Sequence, residues 1–366
     1  MKLTILNIGS YSIFIGSNAL KDINNFLTQP RYKHSKIFIL VDEHNMKHCL
    51  PKLIVEVKAL KDAEIIEIES GEESKNIEIC SQIWRTLSEL EADRKSLLVN
   101  LGGGVISDIG GFTASTYKRG IDYINIPTTL LAQVDASYGG KTGLNLEHHK
   151  NEIGVFSNPK AVFIYPSFLK TLSKKQILSG FAEIIKHALI ADKNYWDLIR
   201  SETIADIKNW EPIICRSIEI KNKIVLDDPK EKGYRKALNF GHTIGHAIES
   251  YFMENADLSN KQGHAIAHGE AIGVGMICEA YLSVQNTSLK LNELDQITKY
   301  LFSIYGSLTI DAQADNRLIE LMKYDKKNEN KTIKFTLLSK IGKAEINKSC
   351  EIELIREALN YYRKLK

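Results

Sequence analysis

The residues with the most chemistry in them stand in the second half of the chain. His242 and His246 in HTIGH, and His264 and His268 in HAIAH, form two i, i+4 pairs. Residues four apart share one face of a helix, so each pair can aim two imidazoles at one point. A histidine is ordinarily at home on a surface or in a satisfied core position. Two pairs flanked by glycine and apolar residues, rather than by charges, point instead to metal ligation. HTIGH lacks the glutamate of HExxH, which excludes a zinc-protease helix. Glu183 in GFAEIIKHALI is the candidate third ligand, because apolar neighbours surround it and a buried carboxylate must be paired. Its competing role is an i, i+3 ion pair with Lys186. A carboxylate and two imidazoles would hold Zn²⁺ with a coordination position open to substrate, a catalytic arrangement. Spacing leaves open which histidine of each pair is the ligand.

Cations accompany these residues: Lys186, Lys221, Arg235 and the pair Lys326-Lys327. Arg235 and Asn239 lie four apart just before His242, so all three can face one cavity. With Lys141 and Lys150 they suit a substrate with two anionic groups.

A second polar centre lies earlier. LGGGVISDIGGF, residues 101–112, follows an apolar run; Gly102 to Gly104 permit a sharp turn whose N–H groups can face a phosphate. The spacing is not GxGxxG. Gly110-Gly111 offers a second point of backbone approach, and Asp108 stands between the two clusters where a ribose hydroxyl could be held. PTTLLAQVDASYGGKTGLN, residues 127–145, concentrates Thr128, Thr129, Asp135, Lys141 and Asn145 into what reads as a polar loop anchored by Leu130, Leu131 and Val134. Asp135 occupies the position of the first glycine of a Walker motif, so GGKT is not a P-loop.

The elements that must carry these residues change character near Tyr165-Pro166. Before it, residues 35–42, 63–69 and 96–101 read as strands, with a helix over 77–90 between the last two. Strands separated by helix-length segments predict a parallel sheet covered on both faces. After it, residues 176–191, 211–226, 236–253, 265–284 and 350–362 read as helices, and only 331–338 as a hairpin arm. The expected domains are therefore 1–165, α/β, and 166–366, helical.

Across 366 residues, 48 Lys and Arg against 45 Asp and Glu leave a net charge of +3, which removes the electrostatic case for a nucleic-acid binder. No apolar stretch is long enough to span a bilayer, and Asn7, Ser10 and Tyr11 interrupt the start where a signal peptide needs its apolar run. Five dispersed cysteines without CxxC read as reduced thiols of a cytoplasmic protein.

Six blocks together resemble the 3-dehydroquinate synthase family: SGEESKN (70–76), GGGVISDIGGF (102–112), RGIDYINIPTTLLAQVDASYGGKTGLN (119–145), FAEIIKHALI (181–190), GYRKALNFGHTIGHAIE (233–249) and HGEAIGVGM (268–276). The resemblance covers nearly the whole chain. It implies a Rossmann-like α/β domain with a mainly parallel sheet that binds NAD, then an all-helical metal- and substrate-binding domain, in a homodimer. It implies Zn²⁺, with Co²⁺ as a substitute, on Glu183, His242 and His268. NAD would be held by Asp42, Glu72, Lys75, Gly104, Val105, Asp108, Thr128, Thr129, Asp135, Lys141, Lys150, Phe168 and Thr171. Lys141, Lys186, Lys221, Arg235, Asn239 and His246 would serve catalysis. Lys150, Asn151 and one of Lys326 and Lys327 would bind substrate, and Arg119 would reach the neighbouring subunit's site. Ser107 and Tyr138 depart from the commoner pattern, which has glycine and a small aliphatic residue there.

The implied reaction converts 3-deoxy-D-arabino-heptulosonate 7-phosphate to 3-dehydroquinate and phosphate by transient oxidation, phosphate elimination, re-reduction and intramolecular aldol closure. It is a phosphate-eliminating lyase reaction of the shikimate pathway, in aromatic amino acid biosynthesis. The alternatives are a related sugar-phosphate cyclase, a metal-dependent polyol dehydrogenase, and a nucleotide-binding homologue with a dead site. The last would lack a ligand or a phosphate-side lysine, and none is missing.

Overall fold

The chain opens on a hairpin, β1 (Thr4–Ile8) and β2 (Tyr11–Ile15), turned at Gly9 and Ser10, where Gly9 takes the left-handed φ of +57°. Then follow α1 (Ala19–Leu27), β3 (Ile37–Asp42), α2 (Glu43–His48), α3 (Leu50–Glu56), β4 (Glu64–Ile68), α4 (Ile77–Glu89), β5 (Leu97–Gly102), α5 (Gly104–Thr116) and β6 (Asp122–Pro127). A π-helical turn over Ala132–Ala136 leads to a second hairpin, β7 (Lys141–Leu146) and β8 (His149–Phe156), and to β9 (Ala161–Ile164). The later elements are α6 (Lys174–Ala191), α7 (Lys193–Ser201), α8 (Glu211–Asp227), α9 (His242–Glu254), α10 (His268–Asn286), α11 (Leu291–Tyr305), α12 (Asp315–Tyr324), β10 (Lys334–Lys340), β11 (Lys343–Ser349) and α13 (Ile352–Arg363). This computed structural model describes residues 4–147, 149–255, 266–324 and 332–365. Lys326, Lys327 and His264 lie outside the described residues.

Two compact units result, Met1–Ser173 with Asn209–Pro229, and Lys174–Lys208 with Lys230–Lys366. The segment containing α8, which the sequence places with the second half, joins the first unit because α8 packs on the π-helical turn and on β1.

In the first unit seven strands run in the order β1-β2-β9-β6-β5-β3-β4, all parallel except β1. β5 (LLVNLG) is buried at every position, as a strand covered on both faces must be. Leu97, Val99 and Leu101 meet Leu20, Ile23 and Leu53 of α1 and α3 on one face; Leu98 meets Ile83, Leu87 and Ile109 of α4 and α5 on the other. Each such side chain contributes about 1.5–3 kcal/mol by leaving water. The polar exception, Asn100, donates to Asn125 Oδ1 at 2.9 Å, and Asn125 donates to the Ser137 carbonyl at 2.7 Å. α4 starts where the Asn76 side chain accepts from the Ile79 N–H at 2.9 Å, and it buries Cys80, Ile83 and Leu87 at helical spacing.

Among the described residues the second unit is helical apart from the antiparallel pair β10–β11, so it is not all-helical. α10 packs against α6, α9, α11, α13 and β10. Glycines bring α9 and α10 together: a Cβ on Gly275 would stand 2.0 Å from the Gly241 carbonyl oxygen. The helix expected over 236–253 is divided. Tyr234–Asn239 is a 3₁₀ segment, Gly241 takes φ +79°, and α9 begins only at His242.

The stretch read as a polar loop, 127–145, is the end of β6, the π-helical turn and the first strand of the β7–β8 hairpin. Alternation is weak in LysThrGlyLeuAsnLeu because only two of its six positions, Leu144 and Leu146, carry an apolar side chain. All five cysteines are free thiols, and no described helix is long and apolar enough to cross a membrane.

Candidate functional site

In an open parallel sheet ligands sit beyond the carboxyl ends of the strands, at the point where the strand order reverses. Here the order reverses between β3, which leads outward to β4, and β5, which leads the other way to β6. Asp42 ends β3, the glycine turn ends β5, and Thr128 follows β6. Gly103 is the extended N-cap of α5, so the first N–H groups of that helix, from Gly104 and Val105 onward, have no partner within it. Thr128 donates its backbone N–H to the Gly102 carbonyl at 3.0 Å. Its hydroxyl is buried with no hydrogen-bond partner among the described residues, a group set to receive a ligand. Thr129 Oγ1 accepts from the Ala132 N–H at 3.2 Å and holds the turn that follows. Phe168 and Thr171 sit on a 3₁₀ segment after β9, with Phe168 buried in the core. Asp42 caps α2, accepting from the Asn45 N–H at 2.8 Å.

Lys75, Asp108, Glu72 and Asn151 meet in one polar network. The Lys75 ammonium contacts both Asp108 Oδ2 and Asn151 Oδ1. Burial pushes the Asp108 carboxyl above its ordinary value, against the pull of Lys75. Asn145 ties the group together: its Nδ2 donates to Glu72 Oε1 at 2.9 Å, its Oδ1 accepts from the Asn151 N–H at 2.8 Å, and its own N–H donates to the Lys75 carbonyl at 2.8 Å. Lys141 is exposed at the start of β7, and Lys150 is half-buried on β8. Lys221 of α8 reaches Asp135 Oδ1 at 2.5 Å and the Asp135 carbonyl at 2.6 Å, its ammonium 4.7 Å from the centre of the Tyr138 ring. The Tyr138 hydroxyl donates to the Val134 carbonyl, and its ring lies beneath Lys221. Arg119 stands apart from these residues, in the turn before β6 and so at the amino-terminal end of that central strand, with φ +68°.

Gly110 and Gly111 do not serve ligand approach. A Cβ on Gly110 would fall 2.0 Å from Asn100 Oδ1, and one on Gly111 2.4 Å from Thr142 Cγ2. Both glycines let α5 lie close on β5 and β7, so the space beside them is already filled by protein.

In the second unit α6 supplies Glu183, α9 supplies His242 and His246, and α10 begins with His268. Glu183 is fully buried; its Oε1 lies 3.3 Å from His242 Nε2 and 3.2 Å from His268 Nε2. Its other oxygen meets the Lys186 ammonium. The ion pair and the candidate ligand role therefore coexist, one on each carboxylate oxygen. One ligand atom from each of Glu183, His242 and His268 falls within 4.8 Å of the others, a distance a single ion can bridge. Burial opposes ionisation of Glu183, but Lys186 and His242 outweigh it and hold the carboxyl well below the usual range. Burial and Lys186 lower His242. Burial also works to lower His268, but the Glu249 and Glu183 carboxylates prevail and push it up to about 10.

The remaining ring nitrogens are held as metal-ligating histidines require. His242 Nδ1 lies 3.1 Å from the Phe240 carbonyl, and His268 Nδ1 lies 3.2 Å from Glu249 Oε1. Glu249 was not singled out by spacing, although it stands seven residues after His242 on the same helix face. His246 is half-buried, its ring centre 5.0 Å from that of His242 and 6.3 Å from that of His268. Arg235 is buried, and Asn239 Nδ2 donates to Glu231 Oε1 at 3.0 Å. On their 3₁₀ segment four residues turn about 120° past a full circle, so Arg235 and Asn239 do not share the face that an α-helix would give them.

A Rossmann-like sheet unit with a helical unit is a fold that this chain shares with solved cyclases such as 2-deoxy-scyllo-inosose synthase, and with iron-containing alcohol dehydrogenases. The solved 2-epi-5-epi-valiolone synthase of Streptomyces hygroscopicus, described with NAD⁺ and Zn²⁺ bound, superposes with a TM-score of 0.83, covering 100% of this chain and 99% of that one at 22% identity. Models for the 3-dehydroquinate synthase N-terminal and C-terminal regions match residues 65–179 and 180–328. The chain is 43% identical over 355 residues to the 3-dehydroquinate synthase of Parabacteroides distasonis, covering 96% of this chain and 97% of that protein. It is 41% identical over 353 residues to the enzyme of that name from Helicobacter pylori, covering 96% of each. The chain belongs to the 3-dehydroquinate synthase family.

Proposed function

We propose that the chain catalyses the 3-dehydroquinate synthase reaction, from 3-deoxy-D-arabino-heptulosonate 7-phosphate to 3-dehydroquinate and phosphate. The observation that carries this reading is the single oxygen of buried Glu183 facing the Nε2 atoms of both His242 and His268 at hydrogen-bond distance. Two imidazoles and a carboxylate, each with an outer partner, suit Zn²⁺, and also Co²⁺. The partnerless Thr128 hydroxyl and the unpaired N–H groups opening α5 suit the phosphates and ribose of NAD.

When bound, NAD supplies a reversible hydride acceptor and the divalent ion a Lewis acid for a hydroxyl-bearing carbon. The chain's own residues bind and orient. Lys186 neutralises the Glu183 charge that would otherwise be uncompensated in a buried position. Phe240 and Glu249 fix the two imidazoles so that each turns its Nε2 to one point. Asp42, Glu72, Lys75, Gly104, Val105, Asp108, Thr128, Thr129, Asp135, Lys141, Lys150, Phe168 and Thr171 are assigned to NAD. Lys141, Lys150, Asn151 and His246 are assigned to the phosphate that leaves, and Lys221, Arg235 and Asn239, with Lys326 or Lys327, to the rest of the substrate. Holding reactants this way supplies at most about 7–11 kcal/mol of the barrier reduction. The same reading assigns a homodimer in which Arg119 serves the neighbouring subunit, and a cytoplasmic location.

The test mixes protein, zinc, NAD and the heptulosonate phosphate. Stoichiometric phosphate release with no accumulated NADH is expected. Accumulating NADH would indicate a polyol dehydrogenase, turnover of a sugar phosphate lacking the carboxylate a different cyclase, and no release in the presence of both cofactors a dead site.

A further inference from the structure

We propose that Glu279 is a positioning residue for the metal centre, acting on His242 through one peptide unit. The proposal rests on the reading of Glu183, His242 and His268 as the ligand set. Glu279 is fully buried on α10. Its Oε2 accepts from the Gly241 N–H at 2.7 Å and its Oε1 from the Ile244 N–H at 3.1 Å. These donors bracket His242. α9 has glycine at its N-cap, without a side chain to satisfy its first N–H groups, so the cap comes from another helix.

The peptide between Phe240 and Gly241 carries the effect to the ligand. Its N–H is held by Glu279, and its carbonyl oxygen faces His242 Nδ1 at 3.1 Å. A peptide unit is planar and stiff, so fixing its N–H fixes the direction of its carbonyl. That carbonyl accepts the Nδ1 proton, which leaves the Nε2 lone pair free to bind metal. Glu279 thus does for His242, through a peptide, what Glu249 does directly for His268. About three helical turns separate Glu279 from His268 on one helix. α10 therefore supplies one ligand and anchors the helix start that presents the other.

The test titrates metal-free protein with zinc alone against a chelating dye. Glu279→Gln keeps the shape but must point an amide N–H₂ at one backbone N–H. It is expected to weaken zinc binding about tenfold, and Glu279→Ala up to about 100-fold. Ser283→Ala is the control. Ser283 Oγ donates to the Glu279 carbonyl at 2.6 Å and accepts from the Leu338 N–H at 2.9 Å, so its loss lowers the melting temperature without touching the His242 turn. Its zinc affinity is expected to stay that of the parent.

Parent-like zinc affinity in Glu279→Gln, or an equal loss of affinity in Ser283→Ala, would overturn the proposal. So would a Glu279→Gln chain that does not fold, since the residue would then serve the fold rather than the ligand. Glu183→Ala in the same titration separates the two levels. If it retains tight zinc, the ligand set is wrong and this inference fails with it; if it loses zinc while Glu279→Gln does not, only this inference fails.

Discussion

Gly111→Ala tests whether the second glycine pair serves packing or ligand approach. The added Cβ would stand 2.4 Å from Thr142 Cγ2 and 3.4 Å from Tyr123 Cε2. Carbon atoms settle near 3.5–4.0 Å, so α5 and β7 must separate by about 1 Å. Overpacking of this kind costs roughly 1–3 kcal/mol, against which the better helix propensity of alanine returns up to about 1 kcal/mol. For a unit of this size each kcal/mol moves the melting temperature by roughly 2–4 °C, so a fall of several degrees is expected by calorimetry. Thr142→Ser removes the offending methyl and keeps a hydroxyl for the Val155 carbonyl, which Thr142 Oγ1 reaches at 3.4 Å. The double variant should recover the stability of Thr142→Ser alone, a coupling of roughly 1–3 kcal/mol. Unchanged stability with lost NAD affinity would refute the packing account, as would Thr142→Ser failing to rescue.

Glu183→Ala and His242→Ala should each lose zinc and turnover together, measured by metal analysis after dialysis and by phosphate release. Arg235→Ala should raise KM for the substrate or lower kcat while leaving the NAD dissociation constant unchanged, as read by fluorescence titration. With its pKa raised to about 10, His268 carries a proton in the metal-free protein at neutral pH, and zinc must displace it. Apparent zinc affinity should therefore rise about tenfold per pH unit from neutral pH towards 10, with one proton released per ion in calorimetry across buffers. In the metal-free fold the same proton is stabilising below the ordinary histidine value of 6.5, and that contribution is lost as pH rises through about 10.

Much of the site was legible because the chemistry announces itself in residue type. A glutamate among Phe181, Ala182, Ile184 and Ile185 must be paired wherever the chain folds, and two HxxxH pairs beside glycines need a partner other than water. Glu249 escaped notice because Glu is common on helix surfaces; only its burial beside His268 gives it a role. Glu279 left no signal, since the groups through which it holds α9 are backbone N–H groups that every sequence possesses. Gly110 and Gly111 show the opposite error. A glycine pair reads the same whether the missing side chain makes room for a phosphate or for Thr142.

β3, β4, α4 and β5 followed from apolar runs and helical spacing, which local sterics and one-sided burial enforce, whereas the β1–β2 hairpin and α1 to α3 were not read. The β7–β8 hairpin did not, because Gly143 and Gly154 face each other's backbones and offer no apolar pattern. The break at Gly241 likewise depends on close contact with α10, a neighbour distant in sequence. By itself the sequence determined which groups can donate electrons, protons or charge, because these are properties of single side chains. Which of them meet, and which imidazole nitrogen faces Glu183, was decided by tertiary packing, because helix register and approach distance arise only when remote segments share one interior.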